Sequence, residues 1–299
     1  MLRLLAQAMT KETLTWAVNQ LTLRKRIVMA SVVQTSGSVP GKVGARLAIA
    51  ENTGGFHGTI GGAGLELKVL NRCRELMLEQ FEPFGEVLTF GLNKGAKGYE
   101  VQPLDSLCGG RVTVSIEVII PPPHVLLMGG GHCASALVTT IESLNWNHSV
   151  SDSRIEYCNA ELFPTATELI HSSVGDFLAA ESISTVRRFS DILLLGQDWS
   201  EDQERLLGLL KLCQDGDSIP DGRNFPRIGV IGSRSKWQSF SRAATEQGIN
   251  SEQLDSVICP IGLNIGAESP EEIAIAVTAQ ILSLAKGVSP ADENWRQSL

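Results

Sequence analysis

Residues 125–134 read Val-Leu-Leu-Met-Gly-Gly-Gly-His-Cys-Ala, a short apolar run followed at once by three glycines. The run is typical of a strand buried in a parallel sheet, and the residues after it have the apolar spacing of a helix. The glycines fit the pattern G-x-G-x-x-A, in which Gly129 permits a tight turn and Gly131 lets the backbone approach a pyrophosphate. Asp152 lies 23 residues beyond Gly129, where it would accept hydrogen bonds from ribose hydroxyls. The segment therefore predicts a strand–turn–helix unit of the dinucleotide-binding type.

The rest of the C-terminal half alternates between strand and helix patterns. A strand is predicted near 148–151, the apolar runs at 191–195 and 228–231 also read as strands, and helical patterns separate them. Short apolar strands separated by helices predict an α/β domain with a doubly wound, parallel, Rossmann-like sheet. NAD(P) or another nucleotide is the ligand that the fingerprint implies, and the alternative is a Rossmann-like domain that holds no nucleotide. His132 is either a contact to a ligand phosphate or a solvated residue at the start of the helix.

Three consecutive prolines, Pro121 to Pro123, divide the chain. They end a strand at 111–120, in which apolar and polar residues alternate, because proline cannot continue a strand ladder. We therefore predict an N-terminal domain at 1–120, a linker at 121–124 and the Rossmann-like domain at 125–299. The N-terminal half combines two helical patterns, the first capped by Thr10, with several strands, and it reads as a mixed α+β domain.

The net charge of −8 is unevenly distributed over the 299 residues. Residues 1–120 hold 13 Lys/Arg against 10 Asp/Glu, whereas the remainder holds 12 against 23. The mildly basic N-terminal half permits an anionic ligand there, and the alternative is an ordinary solvated surface. The overall acidity argues against a nucleic-acid-binding protein, and no apolar window is long enough for a membrane helix.

The cysteines form no C-x-x-C pair, which removes the common zinc and iron–sulfur spacings. The N-terminus lacks the uninterrupted apolar region of a secretion signal, so we expect a cytoplasmic protein with reduced thiols. Five of the six cysteines fit small buried side chains. Cys108 differs, because it precedes Gly109, Gly110 and Arg111 in a long loop, where a thiol could act as a nucleophile or a soft metal ligand.

Two further glycine motifs precede predicted helices. Gly61 and Gly62 come just before the helix at 64–81, and they serve either a ligand or close packing of the backbone. Residues 231–236 read Ile-Gly-Ser-Arg-Ser-Lys after another strand. Backbone amides, the Ser233 and Ser235 hydroxyls and two cations, Arg234 and Lys236, would suit an anion there, and the alternative is a capped helix with exposed basic residues.

The ordered set of motifs resembles the XdhC/CoxI family of xanthine dehydrogenase accessory proteins. The resemblance covers nearly the whole chain, and its most specific stretch is the one at 260–272 (PIGLNIGAESPEE). Matching segments also lie at 35–40, 44–46, 58–62, 65–66, 108–110, 129–132, 163–164 and 231–236, with Asp152 and Arg154. The chain departs from the family at Gln197 and Asp198, where many relatives carry Thr-His.

The resemblance implies a chaperone that binds the molybdenum cofactor, assists its sulfuration and delivers it to a molybdenum hydroxylase apoenzyme. It gives Cys108 the contact to the cofactor and its metal, with Gly109 and Gly110 as the frame. From their charge, Arg46 and Arg111 are candidate partners for phosphate or oxo groups. The implied partners are the client enzyme, a cysteine desulfurase-type sulfurase and a second copy of the chain. An NAD(P)-dependent oxidoreductase and a nucleotide-sensing regulatory protein remain the alternatives.

Overall fold

The computed structural model describes residues 2–80, 82–92, 101–104, 109–214, 220 and 225–290, with only the backbone for 2–9 and 63. The chain divides into two compact units, Met1–Pro121 and Pro122–Leu299. The predicted fold class is confirmed, because the first unit combines helices with a mixed sheet and the second contains a parallel sheet. No helix in the described part of the chain is long and apolar enough to cross a membrane.

The N-terminal unit is built on a six-stranded sheet. Its elements are α1 (Leu2–Thr22), β1 (Ile27–Ser36), β2 (Arg46–Ala50), β3 (Phe56–Thr59), α2 (Ala63–Glu79), β4 (Phe84–Gly91), β5 (Val101–Pro103) and β6 (Arg111–Ile119). The strand order is β3-β2-β1-β6-β4-β5, and every pair is antiparallel except β4 with β5.

Both faces of this sheet are packed against a helix. Val28, Ala30 and Val32 of β1 point into a core completed by α2, whereas Ile27 and Met29 point to the α1 side. This alternation follows from the two-residue period of a strand. The predicted cap at Thr10 is wrong, because α1 begins at Leu2 and Thr10 lies inside it, where its hydroxyl donates to the Gly44 carbonyl at 3.2 Å.

The C-terminal unit alternates strands with helices. Its strands are β7 (His124–Met128), β8 (Asn147–Asp152), β9 (Leu169–His171), β10 (Asp191–Leu194) and β11 (Arg227–Val230). Its helices are α3 (His132–Ser143), α4 (Val174–Ala180), α5 (Ile183–Val186), α6 (Trp199–Gln214), α7 (Arg234–Glu246), α8 (Ser251–Asp255) and α9 (Pro270–Lys286). The sheet order is β11-β10-β7-β8-β9, and all pairs are parallel.

Helices cover both faces of the parallel sheet, which makes it doubly wound. Leu126 and Met128 of β7 belong to the core shared with α6 and α7, and Val125 and Leu127 belong to the core shared with α3 and α9. The segment at 260–272 positions α9. Within it, Ser269 and Glu272 form a capping box at the start of that helix, and Ile261 donates its backbone N–H to the Val230 carbonyl at 3.0 Å.

Candidate functional site: the carboxyl edge of the parallel sheet

The chain order reverses between β7 and β10 in the parallel sheet. β8 and β9 lie on one side of β7, and β10 and β11 lie on the other. Ligands of open α/β sheets bind outside the carboxyl ends of the strands at such a switch point. A cleft of about 480 Å³ is lined by the loops after β8 and β10, which flank the end of β7. The fingerprint glycines follow β7, so they lie at this edge.

The three consecutive glycines, Gly129 to Gly131, differ in conformation and in the space around them. Gly129 has a φ of +113°, a conformation that side chains rarely adopt. A methyl group at Gly130 would collide with the Tyr157 carbonyl oxygen. Gly131 has an ordinary φ of −76°, and a methyl group there would meet no described atom within 4 Å. Conformation and packing explain the first two glycines, whereas a side chain at Gly131 would face space that no described atom fills.

The start of α3 has no side-chain cap from its N-cap residue within the described part of the chain. Gly131 is the N-cap of α3 and provides no side-chain hydrogen bond to the first turn. Uncapped N–H groups and the helix dipole favour a phosphate or another anion. His132 is exposed in this first turn. Burial raises the pKa of the neighbouring Cys133 thiol, with a further contribution from Glu271, so this thiol is protonated at neutral pH.

Asp152 is engaged with protein donors on both carboxylate oxygens. Oδ2 accepts the Gly130 N–H and Arg154 Nη2, and Oδ1 accepts the Arg154 backbone N–H and Nε, all at 2.9 Å. Burial acts to raise the pKa of Asp152, but the hydrogen bonds from Arg154 and Gly130 outweigh it and hold that pKa below its ordinary value. The carboxylate thus ties the end of β8 to the glycine turn, and the predicted ribose contact requires one of these bonds to break.

The loop after β10 contributes acidic side chains to the cleft. Asp198 caps α6, because its Oδ1 accepts the backbone N–H of Ser200 at 2.8 Å and the Ser200 hydroxyl at 2.6 Å. These hydrogen bonds, the one from the hydroxyl first, lower the pKa of Asp198. Glu201 pairs with Arg205 at 3.1 Å, and Glu204 also lines the cleft. The departure from the family at this position therefore leaves a helix cap.

A buried ionic cluster beneath the same edge was not foreseen from the sequence. Asp202 is fully buried and accepts from Lys236 Nζ at 2.8 Å, Arg205 Nη1 at 3.0 Å and the Gly196 N–H at 3.2 Å. Lys236 also donates to the Ile231 carbonyl at 3.1 Å. The cluster joins the loops after β10 and β11 to α6 and α7. Asp202 and Arg205 lie three residues apart on α6, but only the fold brings Lys236 to them.

The second predicted anion site is a capped helix with exposed residues. The Ser233 hydroxyl accepts the Lys236 N–H at 3.3 Å and caps α7. Ser233 and Arg234 are exposed at the carboxyl edge, after β11 and two strands from β7. The Lys236 ammonium is buried against Asp202, so it does not face an anion at this edge.

The N-terminal glycine motifs converge on one loop, at 36–44. Gly61 has a φ of +102°, and a side chain there would collide with the backbone of Gly41. A side chain at Gly110 would collide with the carbonyl oxygen of Ser36. A methyl group added at Gly62 would lie 3.0 Å from Cγ of the Pro40 ring. These contacts are with the protein itself and support the packing alternative, whereas a methyl group at Gly109 would meet no described atom within 4 Å.

The candidate cations of this unit lie apart. Arg46 is opposite Ser31 of β1, and Arg111 is opposite Ser36. Five residues of a strand span about 16 Å, so the backbones of the two arginines lie well apart, and Arg46 Nη1 donates to the Gly44 carbonyl at 3.1 Å. Cys108 lies outside the described residues. In the part of the chain that is described, no group of three or more His, Cys, Asp or Glu is arranged to hold a metal ion.

The C-terminal unit matches the family model of the XdhC Rossmann domain over residues 125–281. The model of the XdhC and CoxI family matches residues 21–91. The uncharacterized protein YqeB of Escherichia coli strain K12 is 31% identical over 256 residues, which cover 86% of this chain and 43% of that protein. A protein of Bacillus subtilis strain 168, described as a probable subunit of xanthine dehydrogenase, is 27% identical over 176 residues, which cover 58% of this chain and 46% of that one.

The chain thus spans less than half the length of these curated relatives. A crystal structure described as a xanthine dehydrogenase from Bacillus halodurans aligns with a TM-score of 0.46 at 20% identity, over 94% of this chain and 99% of that one. The Rossmann-domain model alone covers more than half of the chain, and the second model covers a separate part of the N-terminal unit. The chain belongs to the XdhC/CoxI family.

Proposed function

We propose that the chain is a cytoplasmic accessory protein that binds the molybdenum cofactor and assists its sulfuration and insertion into a molybdenum hydroxylase. Family membership supports an accessory role, and the probable xanthine dehydrogenase subunit from Bacillus subtilis supports the class of client. The proposed partners are that client, a cysteine desulfurase-type sulfurase and a second copy of the chain. The cofactor supplies the redox chemistry of the client enzyme, whereas this chain would hold it and pass it on.

The observation that carries the proposal is the open space at Gly131. The cofactor bears a phosphate on its pterin, and Gly131 with the uncapped start of α3 fits such a group. His132 would lie beside that phosphate. The resemblance separately nominates Cys108, with Gly109 and Gly110, as a contact to the cofactor and its metal; Cys108 lies outside the described residues. The oxidoreductase alternative has less support, because Asp198 and Glu201 of the cleft are engaged as a helix cap and an ion pair.

The test measures the pterin that is released after oxidation of the protein, purified without oxygen from a host that makes the cofactor. Gly131→Ala places a methyl group in the open space at an ordinary φ, so we expect severalfold less pterin with an unchanged melting temperature. Gly175→Ala in α4 is the matched control, since a methyl group there also meets no described atom within 4 Å. We expect it to retain the pterin.

Two results would count against this assignment. Wild-type protein without pterin would refute cofactor binding. Wild-type levels of pterin in Gly131→Ala would remove the ligand from the glycine turn. Cys108→Ala in the same assay tests the thiol separately, and full retention of pterin would exclude it from the site.

A further inference from the structure

The Asp152 carboxylate, which would accept hydrogen bonds from a ribose in this fingerprint, already accepts them from the protein. A carboxylate offers about four lone-pair positions. Four donors reach Asp152, two from backbone N–H groups and two from the Arg154 guanidinium, each at 2.9 Å. Only 1% of the Asp152 side chain is exposed, so solvent or a ligand scarcely reaches it. Binding of a ribose would therefore displace a donor that the protein supplies.

Arg154 makes a contact that resembles the one expected from a ribose. Its Nε and Nη2 donate side by side to the two carboxylate oxygens, as adjacent 2′- and 3′-hydroxyls would. The guanidinium lies over the Tyr157 ring, 4.2 Å from its centroid, and the Arg154 carbonyl accepts the Tyr157 N–H at 3.0 Å. The Tyr157 carbonyl in turn packs against Gly130. The pair is thus built into the glycine turn.

We propose that Arg154 is a specificity-determining residue that occupies the ribose-acceptor position of this fingerprint. It directs the site away from NAD(H) and toward phosphate-bearing ligands that present no ribose diol to Asp152. The proposal rests on the proposed function only in placing the ligand phosphate at Gly131. Arg154 remains 42% exposed on the cleft side, whereas the carboxylate is covered.

The experiment titrates NAD⁺ into the full chain and into Arg154→Ala by calorimetry. Removal of the guanidinium frees two lone pairs of Asp152 while its two backbone donors remain. We expect the affinity of Arg154→Ala for NAD⁺ to be at least about tenfold higher than that of wild type, because one charge-assisted hydrogen bond to the ribose is gained. Arg242→Ala, which removes an exposed arginine of α7, is the matched control and should bind like wild type.

Two further titrations identify the cause of the higher affinity for NAD⁺. The double variant Asp152→Asn/Arg154→Ala should lose it, because the amide cannot accept at both positions. NADP⁺ has a phosphate in place of the 2′-hydroxyl, so Arg154→Ala should not improve its binding. If Arg154→Ala fails to fold, Arg154→Lys keeps the charge without the paired donors and should gain in the same direction.

Equal affinities of wild type and Arg154→Ala for NAD⁺ would overturn the proposal. An increase in affinity for NADP⁺ as large as that for NAD⁺ would also overturn it, because this would indicate a steric effect. Wild-type binding of NAD⁺ that Asp152→Asn weakens would mean that the carboxylate already contacts ribose. These outcomes leave the pterin assay untouched, so failure of this inference is distinguishable from failure of the proposed function.

Discussion

Replacement of Asp202 by asparagine is expected to destabilise the C-terminal unit more than replacement of Lys236 by methionine does. Asp202 is the anion shared by Lys236 and Arg205, and all three side chains are at least 95% buried. Asp202→Asn leaves two buried cations without this carboxylate. Breaking a buried pair in this way costs about 3–5 kcal/mol. Lys236→Met instead leaves Asp202 with Arg205 Nη1 and the Gly196 N–H, and the loss of one charge-assisted hydrogen bond costs about 1.5–3 kcal/mol.

The assay is urea-induced unfolding of the full chain, followed by circular dichroism and tryptophan fluorescence. Glu51→Gln is the control, because it removes the anion of a more exposed pair with Arg26 in the N-terminal unit. We expect that change to cost about 1 kcal/mol or less. The reasoning is refuted if Asp202→Asn lies within about 1 kcal/mol of wild type, or if Lys236→Met costs more than Asp202→Asn.

Three further predictions concern the same unit. Gly130→Ala should lower the free energy of unfolding, measured in urea, by about 1–3 kcal/mol or more, because its methyl group meets the Tyr157 carbonyl. Wild-type stability of this variant would contradict the packing. Burial lowers the pKa of His148 below 6.5, although the nearby Glu142 carboxylate acts to raise it. The unfolded chain therefore binds this proton at higher pH than the folded chain does. As a result, the free energy of unfolding falls as the pH drops below 6.5. His148→Leu should flatten this fall, and an unchanged slope between pH 6.5 and 5 would exclude His148 as its source. Because the pKa of Asp152 is depressed below 3.8, the difference in unfolding free energy between wild type and Arg154→Ala should hold above pH 5 and shrink below pH 3.8. A difference that does not change with pH would show that the lost contacts of Arg154 are not ionic.

Three strands of the parallel sheet, β7, β10 and β11, could be predicted closely, since each follows a continuous apolar run. The predicted strand at 125–128 is β7 (His124–Met128), and the one at 228–231 is β11 (Arg227–Val230). The short strands β5 and β9 were missed, because three residues carry too little periodicity. α1 begins before its predicted cap, since Thr10 is used for a contact with the loop after β1 rather than for the helix start.

Only those features of the candidate site that depend on neighbouring residues could be predicted from the sequence. Glycine spacing placed Gly129 and Gly131 at a turn before a helix, where the structure has them. It did not reveal that Gly130 is the glycine packed against Tyr157, or that Asp152 is covered by Arg154. Both facts depend on how the turn after β8 folds back over the turn after β7.

The sequence by itself determined most of the order of elements, the family and the position of the glycine turn, because apolar periodicity and glycine spacing act over a few neighbouring residues. Only the tertiary structure decided which charges are buried together and which acceptors are filled. Asp202 and Lys236 are 34 positions apart, yet they meet at 2.8 Å beneath the cleft. Contacts of this kind depend on the pairing of distant elements, and no local pattern encodes the distance between two side chains carried on separate helices.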